Sequence, residues 1–176
     1  MKFKHLPENQ GLYDPRFEHD ACGVGFVCSI KGNVSHEIIR QGLEVLRRLA
    51  HRGATGADPK TGDGAGILIQ VPHEFLLKAC AKAGIKLPAQ GEYGTGLVNL
   101  PQDESERKFC KDTFEKFVKS EGAVLLGWRR VPVDNSDIGN TAKVTEPVIE
   151  QVFIGQAGAM KDRLAFERKL YLIRKQ

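Results

Sequence analysis

The sequence predicts a mixed α/β domain. Short apolar stretches typical of strands alternate with longer stretches in which apolar residues recur at helical spacing. The strand-like stretches are glycine-rich, and the alternation makes a parallel α/β sheet the first expectation. The same alternation does not distinguish a parallel sheet from layered antiparallel sheets with helices outside. With 176 residues, 41% of them hydrophobic, the chain is long enough to bury one core.

Five stretches are predicted to form strands: residues 22–30, 66–71, 93–100, 123–131 and 147–154. The second of them, GILIQV, is apolar over most of its length, which is typical of a buried strand. A glycine-rich loop over residues 52–66 comes before it.

Helices are predicted between the strands and at the C-terminus. The predicted starts are an N-cap at Asn33 or Ser35, a proline at Pro72, and the capping-box pair Asp103 and Glu106. Gly84 is the predicted stop of the second helix. The predicted apolar faces are Ile39, Leu43, Leu46 and Ala50; Leu76, Ala79, Cys80 and Ala83; Phe109, Cys110, Phe114 and Phe117; and Phe166, Leu170 and Ile173.

The chain carries 26 Lys and Arg against 22 Asp and Glu, a net charge of +4. The last sixteen residues hold six basic and two acidic side chains, which accounts for the whole excess. We interpret them as the solvated face of one helix, since nucleic-acid binding needs a basic stripe interleaved with aromatic residues. Nucleic acid is therefore not expected as a partner. No window of eighteen apolar residues is present, so a membrane is not expected as a partner either.

The four cysteines are Cys22, Cys28, Cys80 and Cys110. They form no Cys-x-x-Cys pair and no Cys/His cluster with zinc spacing, so no metal site is predicted. Cys80 and Cys110 lie among apolar residues and are expected to be buried thiols, which fits a reducing intracellular compartment.

Cys22 opens the block CGVGFV and is the main candidate for chemistry. A cysteine beside glycines is also common as a packed or tight-turn residue, and a free thiol with a pKa of about 8.5 is mostly protonated at neutral pH. Cutting the chain before Cys22 would create an α-amine with a pKa of about 7.7–8.0, which is a base on the same residue as the thiol. Residues 1–21 are therefore predicted to be a leader whose removal activates the site.

The loop HRGATGADPKTGDGAG, residues 51–66, is the second candidate. One interpretation is a flexible connector, and another is a phosphate cradle, although the GxxxxGK[ST] pattern is absent. The functional interpretation lays Arg52 and main-chain amides such as that of Gly53 beside a reacting centre, where the guanidinium pairs with an α-carboxylate. Asp58 and Asp63 then hold an amine or cap the loop. We favour the cap, and we keep Asp63 among the candidate substrate-binding residues.

Three stretches, CGVGFV, HRGATGAD and TGDGAGIL, together resemble the class II, or N-terminal-nucleophile, glutamine amidotransferases. The leader LYDPRFEHDACGVGF and the stretches IQVPHEF and LGWRRVP narrow the likeness to the glutaminase domain of glutamate synthase large subunits. The resemblance covers essentially the whole chain. It implies an α+β fold, a four-layer α/β/β/α sandwich of the N-terminal-nucleophile hydrolase type with antiparallel sheets, expected here to be incomplete.

The resemblance also implies a reaction. Cys22 attacks the side-chain amide of glutamine, ammonia leaves, and water hydrolyses the γ-glutamyl thioester to glutamate. In a whole glutamate synthase the ammonia passes to 2-oxoglutarate, a step of ammonia assimilation and glutamate biosynthesis. That step uses FMN and an iron–sulfur cluster in other domains, and no cofactor is expected in this chain.

The expected partners are glutamine, the remaining glutamate synthase domains and a small electron-transfer subunit. The expected compartment is a bacterial cytoplasm or a plastid. The chain departs from the family in having no Asn-Gly dipeptide, which supplies the oxyanion hole in family members. Residues 22–176 are accordingly expected to be the N-terminal part of the amidotransferase domain, with little or no activity alone.

Two alternatives stay open. One is the amidotransferase domain of another class II enzyme that forms phosphoribosylamine or glucosamine. The other is a non-catalytic fragment that acts by association through an exposed apolar surface.

Overall fold

The computed structural model describes residues 11, 12, 14, 23–56, 58–62, 64–158 and 162–176. Cys22, Asp63 and nearly all of the predicted leader 1–21 lie outside these residues. The chain divides into two compact units, one drawn from Met1–Gln70 with Ser136–Val144 and the other from Val71–Asn135 with Thr145–Gln176. No helix in the described part is both long and apolar enough to cross a membrane.

The helices and strands of the described residues are α1 His36–Arg48, a 3₁₀ helix Leu49–Arg52, α2 His73–Lys82, β1 Tyr93–Leu100, α3 Glu104–Ser120, β2 Ala123–Arg130, α4 Asn140–Thr145, β3 Val148–Gln156 and α5 Arg163–Lys175. The last three predicted strands and the four predicted helices are confirmed, with small shifts at their ends. Helix α4 was not predicted.

The second unit contains a three-stranded sheet in the order β1-β3-β2. Strand β3 runs antiparallel to both neighbours, pairing Tyr93 with Gly155 on one side and Arg130 with Glu150 on the other. The expectation of a parallel sheet is therefore wrong for the described strands. Alternating strands and helices arise in both kinds of sheet, and the direction of a strand is decided by partners far away in sequence.

Both faces of this sheet are covered, because successive side chains of a strand point to opposite sides. Phe153 of β3 packs with residues of α2 and β1, while Val152 and Ile154 pack with residues of α3 and α5. The two buried clusters are Leu76, Cys80, Ile85, Tyr93 and Phe153, and Val118, Ala123, Val152, Ile154 and Ile173.

The helix signals of the second unit are confirmed at most positions. The carboxylate of Asp103 caps α3 by accepting the N–H of Glu106 at 2.9 Å. The apolar face predicted for α3 is only partly right, since Phe109 is 70% exposed and Cys110 is partly exposed. Phe109 lies five residues, or about 140° around the helix, from Phe114, which faces the core.

In the first unit, the strands predicted over 22–30 and 66–71 are wrong for the residues described there. Phe26 is 89% exposed, and Leu68, which was expected in a buried strand, is 99% exposed. A strand needs a neighbour to receive its backbone hydrogen bonds, and among the described residues of this unit the one bridge joins Thr55 and Gly62. Apolar composition alone did not supply a pairing partner for either segment.

Helix α1 lies against both of these segments. A Cβ added at Gly25 would sit 2.6 Å from Val45 Cγ1, and one added at Gly42 would sit 2.9 Å from Ile67 Cδ1. Ser35, one of the two predicted N-caps, caps the helix, but none of the helix's own residues is fully buried. Among the described residues of the first unit, α1 therefore packs against two segments that form no strand.

Candidate active site

Arg52 and Gly53 lie where the helical chain ends and the glycine-rich loop begins. The hydroxyl of Ser35 starts that helical chain by accepting the N–H of Glu37 at 3.1 Å. After α1 the 3₁₀ helix Leu49–Arg52 continues, and Gly53 then turns the chain to an extended conformation with φ −86° and ψ 150°. Arg52 is thus the last helical residue before the loop, and its side chain is exposed.

Hydrogen bonds of Arg48 and His51 stabilise this end of the helix. Arg48 donates from Nε to Glu44 Oε1 at 2.9 Å, and this bond lowers the pKa of the Glu44 carboxyl. The main-chain carbonyl of Arg48 lies 2.8 Å from Nδ1 of His51, which ties the turn to α1. The residues just before Arg52 are therefore held in place by side-chain hydrogen bonds.

The chain that follows Cys22 packs on the same turn. A Cβ added at Gly23 would lie 2.7 Å from Leu49 Cδ2, with two further Leu49 atoms at 3.3 Å. Glycine is the residue that lets the main chain approach this closely. Gly23 is adjacent to Cys22 in sequence, and Leu49 opens the 3₁₀ helix that ends at Arg52. The structure therefore brings Gly23, the residue after the predicted nucleophile, to the helix that carries Arg52.

The loop itself is a tight hairpin. Thr55 and Gly62 form its base, and the N–H of Gly56 donates to the carbonyl of Thr61 at 2.9 Å. Inside the hairpin the N–H of Thr61 donates to the carbonyl of Asp58, also at 2.9 Å. These bonds rule out a plain flexible connector. They also use loop amides that a phosphate cradle would need to direct at its ligand.

Asp58 caps the loop, as the sequence analysis favoured. Its carboxylate accepts the N–H of Lys60 and the hydroxyl of Thr61, each at 3.0 Å, and the N–H of Thr141 at 3.4 Å. The bond from the Lys60 N–H, followed by that from Thr61, holds the pKa of Asp58 below its usual value. The ionised carboxylate is therefore an acceptor shared by two segments of the first unit.

The second of these segments, 136–144, was missed by the sequence analysis. The N–H of Gly139 donates to the carbonyl of Lys60 at 3.0 Å, and Lys60 Nζ forms an ion pair with Asp137. Helix α4 begins directly after Gly139. A signal was present in the run DNSDIGN, residues 134–140, whose Asp, Asn, Ser and Gly content is typical of turns and helix caps.

Among the described cysteines, Cys80 is a poor candidate for the nucleophile. Cys80 is fully buried, as predicted, and burial raises the pKa of its thiol. Cys28 is exposed and Cys110 partly exposed, and all three thiols are free. Within the described ranges, no group of three or more His, Cys, Asp or Glu side chains is placed to hold a metal ion.

Comparison with known proteins identifies the family. A family model described as class II glutamine amidotransferases matches residues 22–176. The large chain of NADPH glutamate synthase from Bacillus subtilis is 49% identical over 176 residues, which is 100% of this chain and 11% of the relative. The NADH glutamate synthase of Schizosaccharomyces pombe is 42% identical, over 97% of this chain and 8% of the relative.

A third relative is the chloroplastic ferredoxin-dependent glutamate synthase 2 of Arabidopsis thaliana, 36% identical over 96% of this chain and 10% of the relative. This chain thus spans about a tenth of the length of the curated relatives that it matches. The family model covers nearly all of the chain and begins at the predicted nucleophile. The chain therefore belongs to the class II glutamine amidotransferases.

Proposed function

We propose that this chain is the glutaminase part of a glutamate synthase large subunit, which hydrolyses glutamine and supplies ammonia for transfer to 2-oxoglutarate. The three relatives named above are all glutamate synthases, and their likeness over nearly the whole chain supports the assignment. At the level of residues the proposal is carried by one observation. The main chain at Gly23 lies against Leu49, in the turn that ends at Arg52.

Removal of residues 1–21 makes Cys22 the first residue and frees its amine. Two observations support this step. The family match begins at residue 22, while the Bacillus subtilis relative aligns over the leader as well. In the uncut chain the nitrogen of Cys22 is an amide, which is not basic, so the leader keeps the site inactive through covalent chemistry.

The free amine of Cys22 takes the proton of the thiol, and the thiolate attacks the side-chain amide carbon of glutamine. A carbon–sulfur bond forms, the carbon–nitrogen bond breaks, and the protonated amine returns its proton to the departing ammonia. Water then cleaves the thioester to give glutamate and the thiol. Arg52 pairs with the α-carboxylate of glutamine, Gly53 offers its main-chain amide, and Asp63 holds the α-amine or caps the loop.

The fold proposed for the whole domain is the four-layer α/β/β/α sandwich. The antiparallel sheet of the second unit, with α3 and α5 on one face, supports one sheet and its outer helix layer. The apolar segments 23–30 and 64–71, which pack against α1, are proposed to become strands of the other sheet when they pair with further strands of the domain. We propose that residues 22–176 are the N-terminal part of this domain and, lacking an Asn-Gly pair for the oxyanion, have little activity alone.

FMN and an iron–sulfur cluster are proposed to belong to other domains of the synthase, together with a small electron-transfer subunit. The described residues do not gather a metal-binding group, and each step proposed above uses only groups of this chain. The proposed compartment is a bacterial cytoplasm or a plastid, because the relatives include a Bacillus subtilis chain and a chloroplastic one.

A labelling experiment tests this function in the whole glutamate synthase subunit that is proposed to contain this chain. A diazoketone analogue of glutamine is expected to alkylate Cys22, and the C22A variant should lose both the label and the release of ammonia. The C28A variant is the matched control, since Cys28 is an exposed thiol in the same unit, and it should behave like the wild type. Labelling at Cys28, Cys80 or Cys110 in place of Cys22 would overturn the assignment.

A further inference from the structure

We propose that Asp58 is a positioning residue for glutamine binding, because it holds the loop that carries Arg52 and Gly53 onto the segment 136–144. The inference rests on the proposed role of Arg52 in binding the α-carboxylate of glutamine. Asp58 does not touch the substrate in this proposal. Asp58 acts indirectly, by fixing the position of Arg52.

The first step of the argument is that one carboxylate joins two chain segments. Asp58 Oδ1 accepts the N–H of Lys60, within its own hairpin. Asp58 Oδ2 accepts the hydroxyl of Thr61 and, across to the other segment, the N–H of Thr141. Charge-assisted bonds from backbone N–H groups are stronger than bonds between neutral groups. Both carboxylate oxygens thus accept hydrogen bonds, and together these bonds fix the position of the hairpin tip.

The second step is the fit at Gly139. Gly139 is buried, and a Cβ added there would overlap Asp58 Oδ2 and Thr61 Oγ1. Its N–H donates to the carbonyl of Lys60 at 3.0 Å. A side chain at position 139 would therefore push out the carboxylate and the hydroxyl that close the contact. The ion pair between Lys60 and Asp137 adds a second link between the same two segments.

The third step is that the anchored hairpin is connected to Arg52 by a short stretch of chain. The hairpin closes at the Thr55–Gly62 bridge, and Arg52 stands three residues before Thr55. Three residues span at most about 10–11 Å, so little slack separates the anchored hairpin from the end of the 3₁₀ helix. Release of the hairpin tip is expected to displace Arg52 and Gly53, and misplacement of a binding group by about 1 Å can cost as much as a hundredfold in rate.

Steady-state glutaminase kinetics of the whole glutamate synthase subunit that is proposed to contain this chain test the inference. We expect D58A to raise the KM for glutamine about tenfold while changing kcat less than about threefold, because a binding contact is weakened rather than the chemistry. The matched control is D103A, which removes another aspartate cap with a lowered pKa, in the second unit. D103A should leave KM unchanged, whatever it does to stability.

Two double-mutant cycles separate positioning from general damage. In an R52A background, D58A should add no further increase in KM, because the group that it positions is gone. G139A should raise KM as D58A does, yet add less than its full effect in a D58A background, because the carboxylate that it would displace is absent and only the overlap with the Thr61 hydroxyl remains. The G139A cycle also applies if D58A is poorly folded, since G139A keeps the aspartate.

The outcomes distinguish the inference from the function on which it rests. If R52A leaves KM unchanged, the proposed role of Arg52 fails. If R52A raises KM but D58A and G139A do not, the role of Arg52 stands and the positioning role of Asp58 is overturned. Full additivity of D58A and R52A would also overturn it, because the two side chains would then act independently.

Discussion

Gly23 lies directly against Leu49, so closely that a Cβ at position 23 would sit 2.7 Å from Leu49 Cδ2. This contact joins the residue after the proposed nucleophile to the first residue of the 3₁₀ helix that ends at Arg52. The glycine that follows Cys22 therefore has a structural reason that is independent of any chemistry. It lets the main chain at position 23 reach the element that carries Arg52, the proposed substrate-binding residue.

The contact predicts the effect of a larger residue at position 23. G23V should slow the labelling of Cys22 by the diazoketone about tenfold, because the added side chain pushes the start of the chain off the 3₁₀ helix. Leu49 meets it with the end of its side chain, so the variant L49A should restore much of the lost rate in the G23V background. If L49A restores nothing, the effect of G23V does not come from this contact.

Substitution of Arg52 should act on binding. Charge-assisted hydrogen bonds are worth about 1.5–3 kcal/mol each, so R52A should raise the KM for glutamine by about 10- to 150-fold. R52K should raise it less than R52A, since lysine keeps the charge but loses the bidentate geometry. The control is R47A on the same helical stretch, where Arg47 makes an exposed pair with Glu44 at 3.8 Å. A fall in kcat with an unchanged KM for R52A would contradict the binding role.

The lowered pKa of Asp58 predicts a dependence of stability on pH. The folded-state pKa lies below that of the unfolded chain, so the ionised carboxylate stabilises the fold above about pH 4. This contribution is lost as the pH falls through the folded-state pKa. The difference in melting temperature between wild type and D58A should therefore be constant from pH 7 to about pH 5 and close at lower pH. A difference that persists unchanged down to about pH 2.5 would contradict the assignment.

Local signals predicted the second unit well. Asp103 caps α3, and Phe166 and Ile173 of α5 are buried, because caps and helical periodicity depend on residues a few positions apart. The antiparallel direction of β3 and the failure of 23–30 and 64–71 to pair were beyond such signals, because strand pairing depends on distant segments.

The candidate site was predicted unevenly for the same reason. The cap at Asp58 was expected from its own loop, whereas its contact with Thr141 crosses more than eighty residues of sequence. Gly139 was missed because the fit of a glycine against a carboxylate is not visible in a sequence pattern. Contacts between segments that are far apart in the sequence could therefore not be predicted from the sequence alone.

The core assignment makes a further prediction. F153A should lower the free energy of unfolding by about 3–5 kcal/mol, because Phe153 is fully buried in the cluster with Leu76 and Tyr93. F109A should change it by less than about 0.5 kcal/mol, since Phe109 is 70% exposed. Urea unfolding followed by circular dichroism measures both values. Equal effects of the two variants would contradict the proposed core.

The central claim is that the nitrogen of residue 22 must become a free amine before glutamine is hydrolysed. Intact-mass and N-terminal peptide mass spectrometry of the whole glutamate synthase subunit that is proposed to contain this chain, purified in its ammonia-releasing form, tests it most directly. We predict a chain that begins at Cys22, with residues 1–21 absent, and loss of ammonia release in a variant whose leader is retained. A fully active enzyme that still begins at Met1 would contradict the claim.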